Sequence, residues 1–513
     1  MISPPDAASR PASLPAGAGL AELLERRATL SPADVAISFE GTTIDGETLW
    51  QATLAMAGRL RRLGIKAGDR VAHLGTNSAD FLVLLFACAR LGAMLVPLNW
   101  RLAVPEHCYM LDDADADLLI HDAAFARHVS ALATSRPSCR MLVLESLAGL
   151  PGAAATGAKG DAGSPVLIVY TSGTTGRPKG AVLTQAALIW NAVNATLMHA
   201  LTDADHVLTT LPLFHVGGLN IQTLPVLLAG GRVTLHRRFD PAATLAAIAR
   251  ERPSLTVLVP AQMAALIAYP TWAATDLSSL RMVTTGSMIV PIPLIEAFHA
   301  RGVPVIQVYG STETAPIAIC LPLSDHARKI GSCGKPAAHC TARIVGRDGA
   351  DVTPGERGEI LLRGPNLMRE YWRNPDATEA AYAGGWFHSG DIGHQDDEGY
   401  FFIDERTHDL IVSGGENIYP AELEAILAAE TRIAEAVVVA APDPRWGEVP
   451  VAYVVTRQGA EIAAAEILAL FDGRLARFKH PREVIITDAL PKNALGKVLR
   501  YKLREKAVRI DPS

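Results

Sequence analysis

An α/β fold, built as one large unit followed by a smaller one, is predicted by three observations on the sequence. Short apolar runs, such as residues 71–74 and 93–98, alternate with stretches of helical apolar spacing, the signature of βα units wound around a largely parallel sheet. The length of 513 residues exceeds one ordinary core and, at about 150 residues per domain, fits either several units or a large domain with a small one. After about residue 405 the pattern resets: Pro420 suits the first turn of a helix, and Leu423, Ile426 and Leu427 fall on one helical face.

Residues 1–20, rich in Ala, Pro, Ser and Gly, are expected to be disordered, and the fold to begin with the helical spacing of residues 20–30. The apolar stretch 81–98 is broken by Arg90, Gly92 and Pro97, which predicts a buried helix running into a strand rather than a membrane span. A low-complexity stretch at 150–165 precedes a strand at 166–170, whose C-terminal end opens into the polar loop 171–180. Further strands are expected at 256–259 and 303–308. The small unit is expected to hold strands at 436–439, 451–455 and 484–486 and a helix near 464–476. No internal repeat is present.

Composition narrows the function. A net charge of −6 gives no bias toward polyanions, so nucleic acid is not an expected partner and any nucleotide must be held locally. The six cysteines contain no CxxC pair, and Cys333, His339 and Cys340 lack zinc spacing, so reduced thiols are expected. No basic stretch followed by an apolar one opens the chain, so no secretory signal is read and a cytoplasmic location is expected.

The loop reads Tyr170-Thr171-Ser172-Gly173-Thr174-Thr175-Gly176-Arg177-Pro178-Lys179-Gly180. Glycines let backbone N–H groups approach phosphate oxygens without a Cβ in the way, and the hydroxyls with Lys179 supply further donors. Pro178 before Lys179 and Gly180 after it exclude the ordinary P-loop, in which the lysine opens a helix beside a magnesium-binding hydroxyl. A flexible polar surface loop is the plain alternative.

Four more polar turns accompany it: 309–314, 385–391, the pair 404–406 and 413–417, and 491–497. In this order and spacing the five closely resemble the adenylate-forming superfamily of acyl-CoA synthetases, adenylation domains and luciferases, over roughly residues 20–505. The resemblance implies a large AMP-binding N-terminal domain of stacked α/β subdomains at 21–405 and a mobile C-terminal domain at 406–513, hinged near His408. It also implies ATP, Mg2+ and CoA as the small molecules used, with an acyl-adenylate formed first and a thiol then displacing AMP.

The residue roles that the resemblance implies are chemically sensible. Lys497 would stabilise charge on the α-phosphate, and Thr171, Ser172, Gly173, Thr174, Thr175, Gly176 and Lys179 would hold the other phosphates. Glu313 offers a hard oxygen to Mg2+, Thr312 would contact the α-phosphate, and Tyr309 with Gly310 would face adenine. Asp391 can accept from both ribose hydroxyls, with Arg406 beside it. Ser413, Gly414 and Gly415 would line a pantetheine channel. A solvated lysine in a turn, an exposed acid and a surface ion pair are the plain alternatives for Lys497, Glu313 and the Asp391–Arg406 pair.

His215, Val216, Gly217 and Gly218 together with Gly286 and Ser287 would line the acyl pocket. Neither stretch offers an arginine, so a second carboxylate would be buried unpaired at a cost on the order of several kcal/mol. A hydrophobic monocarboxylic acid follows, fatty or aromatic and cinnamate-like. His215 reads equally as pocket wall or core histidine. The chain departs from the family at residues 285–288, where many relatives carry a small run such as Gly-Gly-Ala, and at His408, where Asp or Lys is common. An adenylating enzyme that loads a carrier protein and a catalytically silent nucleotide-binding relative are the competing readings. Peripheral contact with a membrane and the oligomeric state stay open.

Overall fold

The computed structural model describes residues 17–135, 139–150, 160–171, 177–287, 290–406, 410–491 and 498–507, without the side chains of Glu405 and Arg406. Two large sheets form the bulk of the chain. One has seven strands, in the order Glu370–Tyr371, Lys179–Thr184, Pro165–Thr171, Met94–Leu98, Arg70–Leu74, Leu118–His121 and Arg140–Val143. Its last five strands run parallel, whereas Lys179–Thr184 returns antiparallel along Pro165–Thr171. The nine-stranded second sheet is parallel from Val35–Phe39 through Arg232–Leu235, His206–Thr209, Leu255–Val257 and Met282–Thr285 to Val305–Tyr309, with antiparallel strands at both edges.

The helix Ala79–Leu91 buries every residue but Asp80 and Arg90, as a stretch that is apolar all round requires. One apolar cluster joins it to Val71 and Leu95 of the first sheet and to Val207 and Val233 of the second. The predicted helix-into-strand reading of 81–98 therefore holds, and Ser78 caps the helix through its hydroxyl, which accepts from the Phe81 N–H. Among the described residues no helix is long and apolar enough to cross a membrane.

A four-stranded antiparallel sheet follows, Thr341–Val345, Gly358–Arg363, Phe387–Gln395 and Phe401–Arg406. From residue 411 onward the chain builds its own small sheet, Glu416–Ile418, Ile411–Ser413, Gly447–Thr456 and Ile433–Asp443, with Glu483–Ile486 parallel to Gly447–Thr456. Its core holds Leu423 and Leu427 of the helix Pro420–Ala428, the face expected from their spacing.

Three elements differ from the sequence reading. The strand expected to 259 ends at Val257, because Pro260 opens the helix Pro260–Ile267. The helix expected to 476 is only Ala464–Ala469, and Gly473 beyond it takes a left-handed φ of 71° that stops any continuation. The stretch 385–391, read as a polar turn, is largely strand: Gly385 ends the 3-10 turn Ala383–Gly385, whereas Ser389, Gly390 and Asp391 lie in Phe387–Gln395, a strand half-exposed along most of its length.

The N-terminal helix Leu20–Leu30 is tied to this framework by Arg27, which is 6% exposed and donates from Nη1 to the carbonyls of Leu227 (2.7 Å) and Gly231 (2.8 Å). Arg27→Met removes two charge-assisted bonds worth roughly 1.5 kcal/mol each and leaves both carbonyls buried. A loss of about 3 kcal/mol in the stability of the first unfolding transition, seen as a lower urea midpoint, is the expected outcome of a denaturation series.

Candidate active site

One cavity of about 460 Å3 lies where the two large sheets, the antiparallel sheet and the small unit meet. The end of the cavity lined by Thr171, Lys179, Glu313 and Asp391 is assembled from distant parts of the chain. Thr171 and Lys179 stand opposite each other in the hairpin that flanks the glycine-rich loop, so strand pairing fixes both ends of that loop. Ser172, Gly173, Thr174, Thr175 and Gly176 lie outside the described residues. Lys179 opens a strand and not a helix, as the flanking Pro178 and Gly180 require.

Glu313 sits in the 3-10 turn Thr312–Thr314 that follows strand Val305–Tyr309, and it is 8% exposed. Its Oε1 accepts from the Tyr371 hydroxyl at 2.8 Å and from the Thr171 hydroxyl at 3.3 Å. The Lys179 ammonium lies 4.5 Å from the centre of the Tyr371 ring. Two of the sequence motifs thus converge on one carboxylate, with Tyr371 as the buttress that sequence reasoning missed. Burial, and then the Glu313 charge, push the Tyr371 phenol far above its ordinary range, so it stays a neutral donor.

Gly310 is required by packing: a Cβ there would stand 1.8 Å from the Pro316 carbonyl oxygen. Thr312 lines the cavity, whereas the Tyr309 ring lies in the apolar core behind it, 8% exposed. The Tyr309 hydroxyl donates to Asp391 Oδ2 at 2.9 Å and so fixes a carboxylate that does line the cavity. Strand pairing sets Asp391 directly opposite Arg406.

Another side of the cavity is largely apolar. His215, Val216, Gly217 and Gly218 line it on a helical turn that continues into the π-helical turn Leu219–Thr223, and Ile221, Val259, Val308 and Pro316 complete the wall. Gly218 packs so closely that a Cβ would stand 2.2 Å from the Pro212 carbonyl oxygen, whereas a Cβ on Gly217 would meet only Ile221 Cδ1, at 4.0 Å. Gly286 is backed by the Val308 carbonyl and lies behind the lining, while Ser287 reaches the cavity.

The small unit closes the same cavity. Ile411–Ser413 and Glu416–Ile418 form a hairpin whose two turn residues, Gly414 and Gly415, have φ of 59° and 86°, a left-handed pair suited to glycine. The turn packs between the Trp446 ring and Val259 of the apolar cavity wall, while Ser413 stands behind it in the strand. Beyond it Glu416, with only 9% of its side chain exposed, accepts from Asn99 Nδ2 at 2.9 Å, pairs with Arg101, and meets His215 Nε2 at 3.0 Å. His215 is therefore at the cavity wall, 38% exposed and tied to the small unit. Arg101 is an arginine that neither acyl motif offers, but its charge is engaged by Glu416 and not left for a second substrate carboxylate. Lys497 and His408 lie outside the described residues. All six cysteines are free thiols, and burial pushes Cys88 and Cys320 up to about 12, so neither is a nucleophile at neutral pH.

Burial pushes the Glu416 carboxyl up, but His215 and Arg101 outweigh it and hold the group at about 2, below its ordinary 4.5. A folded value below the unfolded one means the contact stabilises fully above pH 4.5 and is lost as pH falls toward 2. The contribution is on the order of 3 kcal/mol at neutral pH. Glu416→Gln is expected to flatten the acid limb of a thermal-unfolding series between those pH values; superimposable limbs would contradict this assignment.

The chain matches the family model described as AMP-binding enzyme over residues 24–372 and that described as AMP-binding enzyme C-terminal domain over 422–497. It is 48% identical over 501 residues to an indoleacetate–CoA ligase of Aromatoleum aromaticum, covering 96% of this chain and 98% of the relative. It is 42% identical to a feruloyl-CoA synthase of an Amycolatopsis species, over 95% of this chain and 99% of the relative. The o-succinylbenzoate-CoA synthetase of Bacillus subtilis, 34% identical, superposes with a TM-score of 0.87 in a double mutant bound to a product analogue and 0.71 in complex with AMP. Each alignment covers 94% of this chain and 98% of that one. The chain belongs to the AMP-binding enzyme family, among its adenylate-forming acyl-CoA synthetases.

Proposed function

We propose that the protein ligates a compact aromatic monocarboxylic acid to CoA, through an acyl-adenylate, with release of pyrophosphate and then AMP. The observation that carries this reading is the single cavity in which an apolar wall, Val216, Ile221, Val259 and Val308, runs directly into the Lys179, Glu313 and Asp391 end. A space of about 460 Å3 that also receives an adenylate leaves room for a short, flat acid rather than a long unbranched chain. The two curated relatives described above are named for acids that carry an aromatic ring.

In the first half-reaction a carboxylate oxygen of the acid attacks the α-phosphorus of ATP and pyrophosphate leaves. Lys179, Thr171 and the intervening loop would hold the outgoing phosphates, Thr312 the α-phosphate, and Asp391 with Arg406 the ribose. Tyr309, whose ring does not line the cavity, would act through Asp391, to which its hydroxyl is bonded. Glu313 is a carboxylate aimed at the same end of the cavity, a donor that fits Mg2+, and the ion when bound would offset phosphate charge. In the second half-reaction the CoA sulfur attacks the acyl carbon and AMP leaves. The Gly414–Gly415 turn beside Val259 provides a side-chain-free approach for a narrow pantetheine arm. Neither Pro491 nor Val498, the described residues on either side of 492–497, lines the cavity, which supports a reading in which the small unit stands ready for the thiol here and turns about His408 for adenylation.

A panel of acids assayed for CoA-dependent AMP formation tests the substrate class. Arylacetic and cinnamic acids should turn over faster than dodecanoic acid; the opposite order would overturn the aromatic reading. If the protein instead served a carrier protein, AMP and pyrophosphate would form without any thioester to CoA. Lys497→Ala should slow acid-dependent pyrophosphate release by about 100-fold to 1000-fold while preformed adenylate is still converted to thioester. Gly217→Phe should raise KM for aromatic acids by roughly 10-fold to 100-fold and spare propionate, measured as the ratio of their kcat/KM values.

A further inference from the structure

Away from the cavity, a buried charge cluster joins the small unit to the large one. Lys479, 5% exposed, donates to Glu106 Oε1 at 2.7 Å and to Glu422 Oε2 at 2.6 Å, and both carboxylates are as buried as the ammonium. The other Glu106 oxygen accepts from the Ala476 N–H at 2.7 Å and from the Ala103 N–H at 2.8 Å. Glu106 lies in the first turn of the helix Val104–Ala114 of the large unit, whereas Lys479, Ala476 and Glu422 all belong to the small one. The cluster divides accordingly: Lys479–Glu422 lies within one unit, and the two bonds from Lys479 and Ala476 to Glu106 cross between units.

We propose that Glu106 is a positioning residue for thioester formation: it holds the small unit in the one disposition that sets the Gly414–Gly415 turn against the acyl wall. This rests on the reading above, in which the same small unit serves both half-reactions. Lys479 neutralises only one of two buried carboxylates, and Glu422 Oε1 is buried with no hydrogen-bond partner. The surplus negative charge disfavours the closed cluster relative to a neutral pair, and burial moves the Glu422 carboxyl upward despite Lys479. The inter-unit bonds are therefore strong in geometry but offset by desolvation, as a reversible latch needs. When the small unit turns, Glu106 returns to solvent with its own helix N-terminus to cap, while Lys479 keeps Glu422 as partner, so neither unit is left with an unpaired buried cation. Glu106 and Asn99–Arg101 lie within one short segment, so the latch and the Glu416 contact at the cavity are released together.

Glu106→Gln removes the charge but keeps an oxygen that can accept from the Ala103 N–H. With the full-length variant, acid-dependent pyrophosphate release without CoA is measured beside single-turnover conversion of preformed acyl-adenylate by CoA. The expected result is adenylation within twofold of wild type, thioester formation slowed about tenfold and a higher half-saturating CoA concentration. Glu422→Gln, which alters the same lysine from inside the small unit, should not produce this split. Equal losses in both half-reactions for Glu106→Gln, no loss in either, or the same split in Glu422→Gln would overturn the latch. Absence of thioester from the wild-type protein across the acid panel would instead overturn the proposed function.

Discussion

The carboxylate of Glu416 is the constraint on which the arrangement of this molecule depends. It belongs to the small unit but is buried against the large one, and a buried carboxylate is tolerated only when its charge is met. Arg101 and His215 meet it, and Asn99 supplies a further hydrogen bond, so the small unit can sit here only if three side chains of the large one are in place. The contact lies at the mouth of the cavity and not at a remote face. Docking of the small unit and the shape of the cavity wall are therefore one event, since His215 is party to both.

The same economy governs the Glu313 end of the cavity. Glu313 accepts from Thr171, which stands at one root of the glycine-rich loop, and from Tyr371, over whose ring Lys179 lies at the other. A neutral phenol donor leaves the carboxylate its full charge, and the burial that keeps Tyr371 neutral also lowers the local dielectric in which Glu313 and Lys179 act. Charges set this way in advance need no reorganisation on binding.

Much of this was legible in the sequence because the relevant signals are local. A strand ending in glycines and hydroxyls, a turn carrying Glu313 after an apolar strand, and a helix start at Pro420 each declare themselves within about ten residues, and the α/β class followed from their alternation. What escaped are partners defined only by long-range packing. Nothing around Tyr371 or Arg101 distinguishes them from surface residues until the sheets bring them to Glu313 and Glu416. Glu416 itself lay inside a motif already noted, but its burial depends on where the whole unit docks. The stretch 385–391 misled because glycine and hydroxyl residues mark turns in most contexts, and here pairing on both sides of Phe387–Gln395 overrides that tendency. The helix after Ala464 was overlong for the opposite reason: its apolar spacing persists past the point where Gly473 takes a backbone conformation that no helix contains.

The bonds that define the site also span unusual lengths of chain: 142 residues between Thr171 and Glu313, 82 between Tyr309 and Asp391, and 58 between Glu313 and Tyr371. Contacts of such separation carry a larger loop-closure entropy cost than local ones. No fragment holding one sheet alone contains a finished pair from this set. The two large sheets and the antiparallel sheet must therefore all be in place before this set of contacts is complete.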